Sequence, residues 1–130
     1  MKKRVLLGMA SLLLSVSLLM AQEIPAGVIT AFKRGSSQEL SKYMGDKVNL
    51  VLQGSSANVD KKKATAMMQE FFTENKVNAF DVNHQGKRDE SSFVIGTLTT
   101  TKGKFRVNCF VKKVQTQYLI HQIRIDKINE

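Results

Sequence analysis

Gly103-Lys104-Phe105-Arg106-Val107-Asn108-Cys109-Phe110-Val111-Lys112 decides the architecture of this chain. Phe105, Val107, Cys109 and Val111 take every second position, with Lys104, Arg106, Asn108 and Lys112 between them. Side chains of a strand point alternately to opposite faces, so this run predicts a strand with one dry face and one largely cationic face. Downstream, Leu119, Ile123 and Ile125 alternate with Gln122, Arg124 and Asp126, a phase that places His121 on the apolar side and Tyr118 and Ile120 on the other. Upstream, Phe93, Val94, Ile95 and Leu98 mark a further strand. Only Thr100-Thr101-Lys102-Gly103 and Val114-Gln115-Thr116-Gln117 separate the three runs, so the last third of the chain reads as twisted antiparallel sheet.

Working back from that sheet, residues 77–84 form another strand with Phe80 and Val82 on one face, followed by a turn over Gln85-Gly86-Lys87-Arg88-Asp89-Glu90. Before it, Asp60 is a good N-cap for a helix over 61–75, whose Ala64, Met67, Met68, Phe71 and Phe72 form one wide apolar stripe suited to lying on a sheet. Lys61, Lys62 and Lys63 fall in its first turn, where the helix dipole disfavours cations. Val48, Leu50 and Leu52 alternate as a first strand, and Gln53-Gly54-Ser55-Ser56 reads as a loop. Two short helices precede them. Pro25 opens the first, with Ile24, Val28, Ala31 and Phe32 on one stripe and Gly35 at its end. Ser36 and Glu39 give a capping-box start to the second, which carries Leu40, Tyr43 and Met44 to Gly45. The order is α-α-β-α-β-β-β-β. Helices first and strands last predict an α+β fold, with three N-terminal helices packed on a strongly curved mixed or antiparallel sheet.

The first residues stand apart from this fold. Lys2-Lys3-Arg4 is followed by an apolar run to Leu19 and then Ala21, the pattern of a signal peptide cut after residue 21. A membrane anchor is the competing reading, since Leu19 is large for its place before the cut. The apolar run is nevertheless short against the roughly 20 residues a spanning helix needs. Residues 22–130 then form a single domain, and the expected location is periplasmic or secreted. Without Lys2, Lys3 and Arg4, 17 of the 20 basic side chains remain against 11 acidic ones, a net charge of +6. Such a surface attracts anionic partners, and contact with a membrane surface fits it. Export leaves no nucleic-acid partner expected. Cys109 is the single cysteine, on the apolar phase of its strand, where a thiol behaves as a small hydrophobe.

Several stretches resemble a known family. Phe80-Asp81-Val82-Asn83-His84-Gln85-Gly86, Ile95-Gly96-Thr97-Leu98, Gly103-Lys104-Phe105-Arg106-Val107 and Tyr118-Leu119-Ile120-His121-Gln122-Ile123-Arg124 are similar to a family of small secreted bacterial proteins of unknown function. That family lies within the cone-shaped, cystatin-like superfamily of nuclear transport factor 2. The resemblance implies the cone fold and no assigned activity. Superfamily relatives include isomerases, dehydratases and polyketide cyclases, as well as binding modules without catalysis. In the enzymes an acid–base pair, Asp with His or Asp with Tyr, sits inside the cone.

Motifs for chemistry are sparse. The sequence has no Gly-x-Ser-x-Gly elbow, no His-Glu-x-x-His helix, no phosphate loop and no dinucleotide fingerprint, so no cofactor or metal is expected. Asp81 and His121 are the candidate pair for an enzyme, with His84 and Arg124 nearby in pattern. Asp81 and His84, odd and even along one strand, are expected on opposite faces. For a binding module the candidates are Lys104, Arg106, Lys112, Tyr118, His121 and Arg124, a cationic and aromatic surface. It suits an unidentified protein, a small anionic or apolar ligand, or a homodimer formed through the sheet face. The reading favoured here is an exported, non-enzymatic binding module; the alternative is an isomerase- or dehydratase-like enzyme using the interior of the cone.

Overall fold

The computed structural model describes residues 24–129, and the expected signal peptide and its cleavage point lie outside them. The elements run α1 (Ala26–Arg34), α2 (Ser37–Ser41), β1 (Met44–Leu52), β2 (Ser55–Asp60), α3 (Lys61–Glu74), β3 (Val77–Arg88), β4 (Ser91–Thr100), β5 (Gly103–Val114) and β6 (Gln117–Lys127). The fold is α+β, with the helices on one face of a six-stranded sheet of order β2-β1-β6-β5-β4-β3. All neighbours are antiparallel except β1 and β6, which pair in parallel, so the sheet is mixed.

Local chemistry sets the helix ends. Gly35 ends α1 in the left-handed conformation (φ 62°), and the following Ser36 N–H donates to Ala31 O at 2.9 Å. Ser36 then caps α2, its hydroxyl accepting from Glu39 N–H at 3.2 Å. The reciprocal half of the expected capping box is not made. Glu39 instead takes Arg34 at 3.0 Å, because Ser36 N–H is already engaged by the end of α1. Asp60 Oδ1 accepts from Lys63 N–H at 2.8 Å and starts α3 as expected.

The stripe of α3 buries Ala64, Met68, Phe71 and Phe72, with Met67 at its border. From the sheet, Val48, Leu50, Phe80, Val94, Leu98, Phe105, Val107, Cys109, Val111, Ile120, Ile123 and Ile125 meet it. Aromatic rings knit the two layers together. Phe32 lies 5.1 Å from Phe80 and Phe71 lies 5.2 Å from Phe105, centroid to centroid. The interior of the cone is therefore filled by side chains at these positions. Cys109 belongs to that filling, and burial pushes its thiol up to about 12, which leaves it a packing group rather than a nucleophile.

Three expectations about the sheet need correction. First, the loop expected over 53–56 is only a turn at Gln53-Gly54, and Ser55–Asp60 is a strand; β2 pairs antiparallel with β1 from Lys47↔Asp60 to Leu52↔Ser55. Its side chains are mostly exposed, so it carries no apolar alternation to betray it. Second, β3 continues through Gly86 to Arg88, and the hairpin turns at Asp89, which has φ 58°. Third, the face assignment of β6 is reversed over its first half. Val111 faces Ile120 while Phe110 faces Gln122, so His121 is an extra residue, a β-bulge. A one-residue insertion swaps every side chain before it to the other face. Tyr118 and Ile120 thus join the helix-covered side, and Leu119 turns away from it.

Candidate functional site

The face of the sheet opposite the helices has no element packed on it among the described residues. On β4, Ser92, Val94, Gly96, Leu98 and Thr100 are buried beneath the helices, while Phe93, Ile95, Thr97 and Thr99 are half-buried on the uncovered side. On β5 the uncovered positions are Lys104, Arg106, Asn108, Phe110 and Lys112. The two ends of this face differ in chemistry.

One end is aromatic. His84, Phe93, Phe110 and His121 come from β3, β4, β5 and β6 and form a ladder of rings, with successive centroids 5.6, 6.3 and 6.3 Å apart. Gly86 makes the ladder fit. A Cβ there would lie 2.4 Å from Phe93 Cζ, so only glycine lets the Phe93 ring lie across the edge strand. Phe93, Ile95 and Phe110, with Asn108 beside them, floor a groove of about 360 Å³ walled by Arg88 and Asp89 of the hairpin tip. Two buried polar atoms at this end, Asn108 Oδ1 and His121 Nε2, have no hydrogen-bond partner among the described residues. A buried polar atom left unpaired is costly, and such atoms are uncommon in native folds.

The other end is polar and basic. Lys104 and Arg106 project from β5 and Arg124 from β6, where Arg124 pairs with Asp126 at 2.8 Å. Arg106 lies opposite that same Asp126 in the ladder. Lys104, Arg106, Lys112 and Arg124 are exposed on this face as the sequence suggests. Tyr118 is not with them. The bulge turns it to the helix side, where it packs against the core with the Lys113 ammonium 6.0 Å from its ring.

His121 lies on the uncovered face against Phe110, not in the apolar interior expected for it. Its pKa is held below the ordinary 6.5, first by desolvation on burial and second by the neighbouring Lys112 charge. The imidazole is therefore neutral at pH 7. A second bulge in β3, at Asn83, brings Asp81 and His84 to the same face rather than opposite ones, with Asn83 Oδ1 accepting from Thr97 at 2.9 Å. Asp81 and His121 do not meet. Asp81 faces Thr97, which is level with Arg106 and Asp126, five residues along β6 from His121. Three ladder spacings and five residues put them about 14 Å apart across the sheet and about 15 Å along it. No proton can pass directly between them. Among the described residues no group of three or more His, Cys, Asp or Glu is placed to hold a metal ion.

The His121 shift has a measurable consequence. A folded pKa below the unfolded one means the unfolded chain binds more protons in that interval, so stability is full above pH 6.5 and falls as pH drops through it. His121 should titrate below 6.5 by NMR, and Lys112→Gln should move its midpoint upward. A midpoint at or above 6.5 in the unaltered protein would contradict the placement.

Phe93, Ile95 and Asn108 are not among the candidate site residues read from the sequence. Their signal was present, since Phe93-Val94-Ile95 is apolar on both phases. A strand covered on one side only has no packing reason for that.

Comparison with known proteins fits this architecture. The model of the domain of unknown function DUF4783 matches residues 25–126. A DUF4783 family protein of known crystal structure from Bacteroides ovatus is 87% identical, with a TM-score of 0.82 over 84% of this chain and 99% of its own. More distant structures share the fold alone. A Nostoc punctiforme protein with a cystatin-like fold is 12% identical, with a TM-score of 0.63 over 81% of this chain and 73% of its own. An NTF-2 like protein of unknown function from Silicibacter pomeroyi is 11% identical, with a TM-score of 0.59 over 92% of this chain and 98% of its own. No curated protein matches the sequence.

Proposed function

The chain belongs to the DUF4783 family, a domain of unknown function with a nuclear-transport-factor-2-like fold, and from its uncovered sheet face we propose that it is an exported, non-enzymatic binding module. The observation that carries this reading is the aromatic groove. Phe93, Ile95 and Phe110 are kept half-exposed beside two unpaired buried polar atoms, which is costly for a surface that touches only water. The basic row Lys104, Arg106 and Arg124 extends the same face and adds attraction for an anionic or acidic partner, an interaction that weakens as salt rises. Export rests on Lys2-Lys3-Arg4, the apolar run after them and Ala21. The enzyme alternative loses its acid–base pair, because Asp81 and His121 are held apart and the interior positions are packed with apolar side chains.

A photo-reactive amino acid placed at position 95 or 110 of the full chain, expressed in its native host, tests both parts of the proposal. We expect adducts from those two positions and none from position 62 on the exposed side of α3. Intact mass should show the adducts on a chain that begins at Gln22. Adducts from position 62 alone would sink the binding surface, and an intact Met1 in the membrane pellet would sink the cleaved, exported form.

A further inference from the structure

We propose that the groove over Phe93, Ile95 and Phe110 takes a planar aromatic molecule carrying an N–H or O–H donor, for which indole is the simplest probe. The inference rests on the reading of the uncovered face as the binding surface and names what that surface binds.

Shape comes first. The groove of about 360 Å³ falls within the range of small-molecule sites, and its floor is apolar. Phe93 and Phe110, 6.3 Å apart and inclined by 42°, offer two neighbouring ring faces on an otherwise flat sheet, with Ile95 completing the floor. A flat aromatic body covers such a floor by offset stacking, whereas a bulky aliphatic one would leave part of it wet.

Polarity narrows the class. Asn108 is the floor residue with a carboxamide, and its Oδ1 accepts nothing among the described residues. The terminal torsion of an asparagine is soft, so Oδ1 can turn toward the groove while Nδ2 takes its place. A ligand N–H or O–H then supplies the missing partner. An aromatic hydrocarbon would stack and leave the oxygen unpaired, and a ligand with only acceptors would leave it unpaired as well. The wall carries Arg88 and Asp89 together, whose charges offset each other, so a ligand without net charge suits the groove.

The chain contains no tryptophan, so indole fluorescence reports the ligand alone. Indole and 1-methylindole have nearly the same shape and differ in the donor. Fluorescence titration into the folded protein should show indole bound about tenfold more tightly, the scale of one hydrogen bond to an otherwise orphaned group. Asn108→Leu should bring the two affinities together while stacking persists. Phe110→Ala should abolish binding of both, with its fold checked by circular dichroism. Ile95→Ala serves as a second floor variant if Phe110→Ala does not fold. Equal affinity of the two indoles for the unaltered protein overturns the proposal, as does binding that survives both floor variants. If neither indole binds and sedimentation shows a dimer that Phe110→Ala dissociates, a second copy covers the groove. The ligand proposal then fails while the binding-module reading stands. If neither indole binds and nothing crosslinks at positions 95 and 110, both fail.

Discussion

Met68→Asp should cost the domain about 4 kcal/mol or more of its stability at 25 °C. Met68 is fully buried on the sheet-facing stripe of α3, between Ala64 and the Phe71–Phe72 pair. A carboxylate there must either be buried without a partner or take up a proton, and each route costs a large part of a typical domain's 5–15 kcal/mol, as a rough range. Lys62→Asp, six residues earlier on the exposed first turn, replaces a cation near the positive end of the helix dipole. It should change stability by no more than about 0.5 kcal/mol, in the stabilising direction. Urea denaturation of the two variants checks the pair. Similar losses in both would mean that the helix packs by a different stripe.

Gly96→Ala is the second large effect, from the smallest change a side chain can make. A Cβ at Gly96 would lie 2.5 Å from Phe80 Cζ and 2.7 Å from the backbone oxygen of Asp81. Phe80 cannot simply retreat, because its ring packs 5.1 Å from Phe32 of α1, and both are buried. Overpacking of this kind costs about 3 kcal/mol. The double variant Gly96→Ala, Phe80→Leu should be less destabilised than the two single changes added together, since the smaller side chain makes room. Additive losses would place the strain in the backbone at Asp81 instead.

These positions also show how far the sequence could be read. The cap at Asp60, the stripe of α3 and the alternation of β5 are local signals that operate as their spacing indicates, and Ser36 caps α2 without the Glu39 half of its box. Gly86 misled for a physical reason. Within Gln85-Gly86-Lys87 it resembles a turn residue, yet it sits in mid-strand because the Phe93 ring lies over it. That demand comes from a residue seven positions away. The bulge at His121 was equally hidden. It is imposed by registration of β6 against β5 on one side and β1 on the other, where the pairing also shifts between Met44 and Asn49. Strict alternation therefore put His121 in the interior and Tyr118 outside, and pairing reversed both. Of the candidate site, the cations on β5 and β6 were legible because their strand phases hold from Lys104 to Lys112 and from Ile123 onward. The groove was not, since it needs Phe93, Ile95 and Phe110 from two strands together with the hairpin tip.

If the uncovered face is kept for binding, as proposed, while the helix side holds the fold, two neighbours on one strand should differ in their weight for stability. Phe110 and Val111 are adjacent on β5 and point to those opposite sides, with Phe110 half-exposed and Val111 fully buried. Paired denaturation of Phe110→Ser and Val111→Ser is the most direct test. Val111→Ser should lose about 3 kcal/mol, through lost apolar contact and a buried hydroxyl, whereas Phe110→Ser should stay within about 1 kcal/mol of the unaltered protein. Equal losses at the two positions would make Phe110 part of the structural core rather than of a binding surface.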